Sequence, residues 1–383
     1  MRRFSVLLVF LVAGFLTSAL AQQDHITAGF IYVGPTDDNG WTEAHDQARI
    51  LLDSEYDWLD TIAVESVPEA DAEVFIDQLV NQGANVIFTT SFGFMDATLA
   101  AAARYPDVVF AHATGFMRAP NVATYTAEFY QVYYLNGLMA GALTKSGKVG
   151  YVGAFPIPEV KRHIDAFTMG VRTVNPEATV NVRWLNSWYS PAAATEAAQA
   201  LIADGADVFA FTEDSPTVVQ VAAQNKLPSF GHYSPMLTFA PDYVVSGQIV
   251  HWDQIYRDIL TKVHDGTYTP QNMQDVDYWS LLASGAVETG AEVGAVINPA
   301  FTDALKAKTV NDSELGEVSV YDLVNKRLDE MSQETPAFEP FTGPLTDRKG
   351  NEVVPAGEVM SVGDLASMQW AAQGVEGPWP DEP

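Results

Sequence analysis

The chain has 383 residues, with 20 Lys and Arg against 49 Asp and Glu, and no cysteine. A formal charge of −29 repels phosphate backbones and anionic lipid, which argues against nucleic-acid and membrane-surface binding. The lack of cysteine excludes disulfides, thiolate metal sites and a cysteine nucleophile, while 48% hydrophobic residues supply material for substantial cores.

In chain order the first segment is a leader. Met1-Arg2-Arg3, an apolar run from Val6 to Leu16 and Ala19-Leu20-Ala21 form a secretory signal peptide over 1–21, with cleavage before Gln22. Export removes two basic residues and leaves 362 residues at a net charge of −31, a length suited to two domains. No later run is both long and uncharged enough to span a bilayer. Without a cysteine to lipidate, the mature protein is expected free in a periplasmic or other extracytoplasmic space.

Strand and helix patterns then alternate. Ile26–Val33 reads as a strand, Trp41–Asp53 as a helix, Thr61–Val67 as a strand and Ala72–Asn81 as an amphipathic helix. The apolar run Asn85–Thr90 is of buried parallel-strand type. Helix Phe94–Arg104, strands Val108–Ala113 and Val122–Ala127 and the long helix Tyr130–Thr144 follow. A second alternation begins with strand Lys148–Ala154 and helix Pro158–Val174, where proline suits the first turn. It continues through strand Thr179–Leu185, helix Pro191–Ala203, strand Asp207–Phe211, helix Pro216–Asn225, strands Pro228–Gly231 and Tyr243–Ile249 and helix Trp252–Val263. From about Phe338 the pattern changes, and Asp347-Arg348-Lys349-Gly350-Asn351 reads as a polar hairpin turn between short strands. Two sets of βα units predict parallel sheets covered on both faces, in two similar lobes.

Ligands of open α/β sheets bind beyond the carboxyl ends of the strands. The loops there pair an aromatic ring with a short polar residue: Trp41 with Asn39, Trp188 with Asn186, Phe92 and Phe94 with Ser91. Rings from two facing lobes can sandwich a flat heterocycle while Asp and Asn groups take its edge. Asp38, Asn39, Ser190 and Asp214 also precede helices, where each serves equally as a cap. His45, one turn after Trp41, either reaches the cleft or packs on its own helix. The other histidines lack metal spacing, and there is no Walker loop, Gly-x-Ser-x-Gly elbow or dinucleotide glycine motif, so neither catalytic residue, metal nor cofactor is expected.

Four ordered segments carry a family resemblance: Asp38-Asn39-Gly40-Trp41-Thr42-Glu43-Ala44-His45-Asp46-Gln47, Thr90-Ser91-Phe92-Gly93-Phe94-Met95-Asp96, Gly153-Ala154-Phe155-Pro156-Ile157-Pro158-Glu159-Val160 and Asp214-Ser215-Pro216. They resemble the basic membrane protein (BMP) family, the purine-nucleoside-receptor-like solute-binding proteins of ABC importers, from about Ile26 to Gly343-Pro344. The resemblance implies a type I periplasmic-binding-protein fold: two doubly wound Rossmann-like lobes joined by a three-crossover hinge. The lobes are expected to comprise 22–127 with about 246–290, and 128–245 with about 291–360, followed by a C-terminal tail over 361–383. It also implies ligand contacts from Trp41, Trp188, Asn39, Asp214, Asp38 and the backbone at Gly93; the loop reading adds Phe92, Phe94 and His45, and Tyr233 completes the expected set. Relatives commonly carry an acidic residue for a ribose where this chain has Tyr233, which favours a free base such as adenine over a nucleoside.

The expected function is therefore capture of a purine-type ligand by a monomeric receptor that delivers it to an ABC permease. Alternatives are a receptor for another heterocycle or a sugar, a ligand-sensing module, and an exported nucleoside hydrolase using Asp214 and Glu213 as acid and base.

Overall fold

The protein, seen in a computed structural model, is described over residues 24–382, so the expected signal peptide lies outside the described residues. The first lobe runs β1 (Ile26–Ile31), α1 (Trp41–Glu55), β2 (Leu59–Val64), α2 (Ala72–Asn81), β3 (Val86–Thr89), α3 (Met95–Arg104), β4 (Val109–Ala113) and β5 (Val122–Ala127). The second runs α4 (Tyr130–Leu143), β6 (Lys148–Gly153), α5 (Pro158–Val174), β7 (Thr179–Trp184), α6 (Pro191–Ala203), β8 (Val208–Thr212), α7 (Thr217–Gln224), β9 (Ser229–Gly231) and β10 (Val244–Val250). Next come α8 (Trp252–His264), β11 (Asp277–Ser280), β12 (Val287–Thr289), α9 (Pro299–Ala307), β13 (Thr309–Asp312), β14 (Gly316–Ser319) and α10 (Val320–Met331). The chain ends with β15 (Leu345–Thr346), β16 (Glu352–Val354), α11 (Val362–Ala366) and β17 (Val375–Glu376).

Local chemistry accounts for the main elements. All four residues of β3, Val-Ile-Phe-Thr, are buried, as a strand covered on both faces requires. Pro158 and Pro191 open α5 and α6, and Ser190 Oγ caps α6 by accepting from the Ala193 N–H. The expected hairpin forms as antiparallel β15 and β16, its turn tied by the Asp347 carboxylate to the N–H groups of Lys349 and Asn351.

Among the described residues two large sheets result, ordered β11-β5-β4-β3-β1-β2 and β12-β10-β9-β8-β6-β7-β17, beside the two-stranded pairs β13-β14 and β15-β16. The first is parallel throughout, and only β12 runs antiparallel in the second. In each, chain order reverses beside the first strand of the lobe, between β1 and β3 and between β6 and β8, and a crevice opens there beyond the strand ends.

The chain passes between the sheets three times: after β5, after β10 and between β11 and β12. The expected boundaries move accordingly. Strand β10 pairs with β9 and with β12 as far as Val250, so the crossing falls at His251 and not near 246. The return is complete by Val287 rather than 290. The segment from 361 is not a separate tail: β17 extends the second sheet beside β7, and the Trp379 indole donates to the Gln369 carbonyl at 2.8 Å.

Between β5 and α4 the buried Glu128 ties the crossovers together. Its N–H donates to the Ser280 carbonyl at 2.8 Å, and its carboxylate takes hydrogen bonds from Arg162 and, at 3.0 Å, from His163 Nε2. Burial opposes ionisation of Glu128, but Arg162 and His163 outweigh it and hold its pKa down at about 2.

Candidate functional site

The carboxyl ends of the two sheets face each other across a small cavity. From the first lobe come Val33 and Trp41 after β1, Ser91 and Phe92 after β3, and Thr114 after β4. From the second come Glu159 after β6, Trp188 after β7, Asp214 after β8 and Tyr233 after β9. Each of these seven strands thus contributes through the loop at its carboxyl end.

Trp41 is the first residue of α1 and is mostly packed, with its remaining surface toward the cavity. Its indole N–H donates to the Thr90 carbonyl at 2.6 Å. The rings of His45, Tyr233 and Trp252 pack against it at steep interplanar angles, with centroids 4.5, 5.0 and 5.1 Å away. Trp188, half-buried in the opposite lobe, leans on Phe155 at 5.0 Å. Phe92 forms a third, half-buried wall.

The polar lining is acidic. Asp214 is 1% exposed, and neither carboxyl oxygen has a hydrogen-bond partner among the described residues. Burial, then repulsion from Asp38, Glu213 and Glu159, pushes its pKa far up. Glu159 keeps some accessible surface because it borders the cavity, yet protein surrounds it. Burial, reinforced by Glu128, raises its pKa to about 8. Glu213, just behind Asp214, is likewise raised to about 8 by burial. Among the described residues, no Lys, Arg or His lines the cavity. Of these acids, Asp214 and Glu159 line the cavity and can stand protonated at neutral pH, each offering one donor beside an acceptor.

Two cavity residues are held in the left-handed region without being glycine: Thr114 at φ 59° and Tyr233 at φ 64°. For a β-branched or bulky side chain this conformation costs on the order of 1–3 kcal/mol, and such strain concentrates at functional sites. Thr114 Oγ1 is also buried and without a partner among the described residues.

Of the ten residues expected from the sequence, Trp41, Phe92, Trp188, Asp214 and Tyr233 reach the cavity. The other five do not line it. Asp38 spends its carboxylate as a cap, accepting from the N–H groups of Gly40, Thr42 and Glu43 at 2.8, 2.8 and 3.0 Å. Asn39 adopts φ 59° and turns its amide onto the Asp37 carbonyl, bordering a wider surface groove. His45 is buried against Trp252 at 4.1 Å and bonded to the Tyr256 hydroxyl, the packed alternative. Gly93 gives its N–H to Glu69, and Phe94 is buried in the core of its lobe. Ser91, paired with Phe92 and Phe94 in the sequence reading, also reaches the cavity, and sequence reasoning missed Val33, Thr114 and Glu159 as contacts. For Glu159 the signal was present, in the loop following β6.

A family model for PnrA-like ABC transporter substrate-binding proteins, Bmp, matches residues 25–290. The chain belongs to the Bmp family. A purine-binding protein of Brucella abortus is 37% identical to this Bmp chain over 370 residues, 95% of this chain and 97% of the other. A putative ABC transporter glucose-binding protein of Haloferax volcanii is 39% identical over 270 residues, 70% of this chain and 66% of that one. An ABC solute-binding protein from Conexibacter woesei shares the fold at a TM-score of 0.59 and 20% identity, covering 82% of this chain and all of the other. The Bmp chain is thus a two-lobed α/β solute-binding protein of an ABC transporter, from an extracytoplasmic family that works with permeases. No helix among the described residues is long and apolar enough to cross a membrane.

Proposed function

We propose that the cavity captures a purine base, with adenine favoured. The observation that carries this is the pairing of aromatic walls from both lobes with the unpartnered Asp214 and the neighbouring Glu159, and no cation among the described lining residues. Trp41 and Phe92 on one side and Trp188 on the other offer ring faces to a planar ligand. A protonated carboxyl places a donor beside an acceptor, the complement of the N–C–NH edge that purines present. Without a lining cation, nothing neutralises a phosphate or carboxylate, which disfavours nucleotides. Tyr233 borders the cavity and brings no carboxylate for a ribose diol, which favours a free base over a nucleoside.

Closure of the lobes over the base would exclude water and present the closed form to a permease in the periplasm, after export through the N-terminal leader. A sugar is the second reading, favoured by the name of the Haloferax relative alone. Native mass spectrometry of the freshly purified protein, followed by calorimetry with adenine, hypoxanthine, adenosine and glucose, separates the two. Binding of glucose but of no purine would refute the proposal.

A further inference from the structure

The cavity wall supplied by the second lobe is held by a residue of the first. The Trp188 indole N–H donates across the cleft to Glu69 Oε1 at 3.2 Å. Glu69 stands in the short turn that leads into α2 and does not line the cavity. The same oxygen accepts from Ser91 Oγ at 2.6 Å and from the Gly93 N–H at 3.1 Å. One carboxylate oxygen therefore gathers two donors from the loop after β3 and one from the opposite lobe.

Two features independent of that bond show that the place is shaped for it. A Cβ at Gly93 would collide with the carboxylate carbon and both oxygens of Glu69, so this loop admits the carboxylate only with glycine there. On the other side, the Trp188 carbonyl accepts the Asp214 N–H at 2.8 Å, so fixing Trp188 also fixes the backbone of the unpaired acid.

We propose that Glu69 is a positioning residue of the binding site, a latch that orients Trp188 against the ligand and favours the closed lobes. This rests on the cavity being the ligand site. An indole offers one donor and no acceptor, so one hydrogen bond sets its rotation. A bond to a carboxylate is about twice as strong as a neutral one. When the lobes part, both groups regain water, so the latch acts on closure and on ring orientation without being needed for either lobe to fold.

Glu69→Ala, Glu69→Gln and Gly93→Ala test this. The first removes the acceptor, the second keeps an amide oxygen to accept, and the third displaces an intact carboxylate. The ligand-free readout is solvent exchange of the Trp188 indole N–H by NMR, assigned with Trp188→Phe. The ligand readout is calorimetry with adenine. In Glu69→Ala and Gly93→Ala, exchange should rise and adenine affinity fall, each on the order of tenfold. Glu69→Gln, which keeps a weaker neutral acceptor, should lose less of both than Glu69→Ala. Unchanged exchange with affinity within about twofold in Glu69→Ala would overturn the proposal. So would equal damage from Glu69→Gln, since a retained acceptor oxygen would then count for nothing. If the wild type binds no purine, the purine reading fails, and the exchange measurement still decides the role of Glu69.

Discussion

Gly40→Ala isolates lobe closure from ligand chemistry. A Cβ built on Gly40 lies 2.9 Å from the Asp214 carbonyl carbon, 3.0 Å from its oxygen and 3.1 Å from its Cα. Carbon atoms pack best at ~3.5–4.0 Å, so the two backbones must separate by roughly 0.6–1 Å. Neither side is a flexible side chain, and the two belong to opposite lobes, so the available relief is opening of the cleft. Overpacking of this kind costs about 1–3 kcal/mol. If that cost falls on the closed form alone, ligand affinity drops roughly 5- to 150-fold. The helix start is not at risk, because the Asp38 carboxylate, and no side chain at position 40, caps α1. The ligand-free melting temperature should therefore stay within about 3 °C of wild type. Calorimetric titration with adenine and scanning calorimetry of both forms give the two numbers. Affinity within twofold of wild type, or a ligand-free melting point that falls as far as the ligand-bound one, would refute the reasoning.

Trp41→Ala and Trp188→Ala should each weaken adenine binding by at least about tenfold, since lost stacking of roughly 1 kcal/mol adds to lost apolar area; unchanged affinity in both discards the sandwich. Asp214→Asn keeps a donor and an acceptor at a buried site where the ionised form is disfavoured, so affinity should change by no more than about fivefold, whereas Asp214→Ala loses at least that. Glu159 and Glu213 bind protons more tightly in the folded chain, with pKa raised from 4.5 to about 8. The stability they permit is greatest below 4.5 and declines as pH rises through 8, so the ligand-free melting temperature should fall between pH 5 and pH 9 on the scale of these shifts, and Glu159→Gln with Glu213→Gln should flatten the slope. A slope unaltered by the pair refutes the assignment. Glu128 titrates at about 2, so its contribution is constant in that range; Glu128→Gln leaves Arg162 buried beside a neutral partner and should destabilise the chain by about 3–5 kcal/mol in denaturant titration.

The two-lobed architecture was legible because its signals are local. Buried runs such as Val86–Thr89 read as parallel strands, prolines at 158 and 191 mark helix starts, and the polar run at 347–351 marks a hairpin. Strands β11 and β12 escaped notice, since Asp277–Ser280 and Val287–Thr289 are short and take their identity from β5 and β10. The segment after 360 misled for the same reason: β17 is two residues long and is a strand only because β7 lies beside it.

Residue types and their order along the chain determined that strand ends would carry aromatic and acidic groups, because hydrophobic period, capping chemistry and proline geometry act over a few neighbours. Which of those groups share a space was decided only in three dimensions. Asp38 and Asp214 both precede helices, yet one spends its oxygens on three N–H groups while the other has none to serve. Phe92 and Phe94 lie two apart in one turn, and the path of the chain sends one to the cavity and the other to the core. Glu159 reads as an ordinary first-turn acid of α5 until the folded chain buries it and takes away its water.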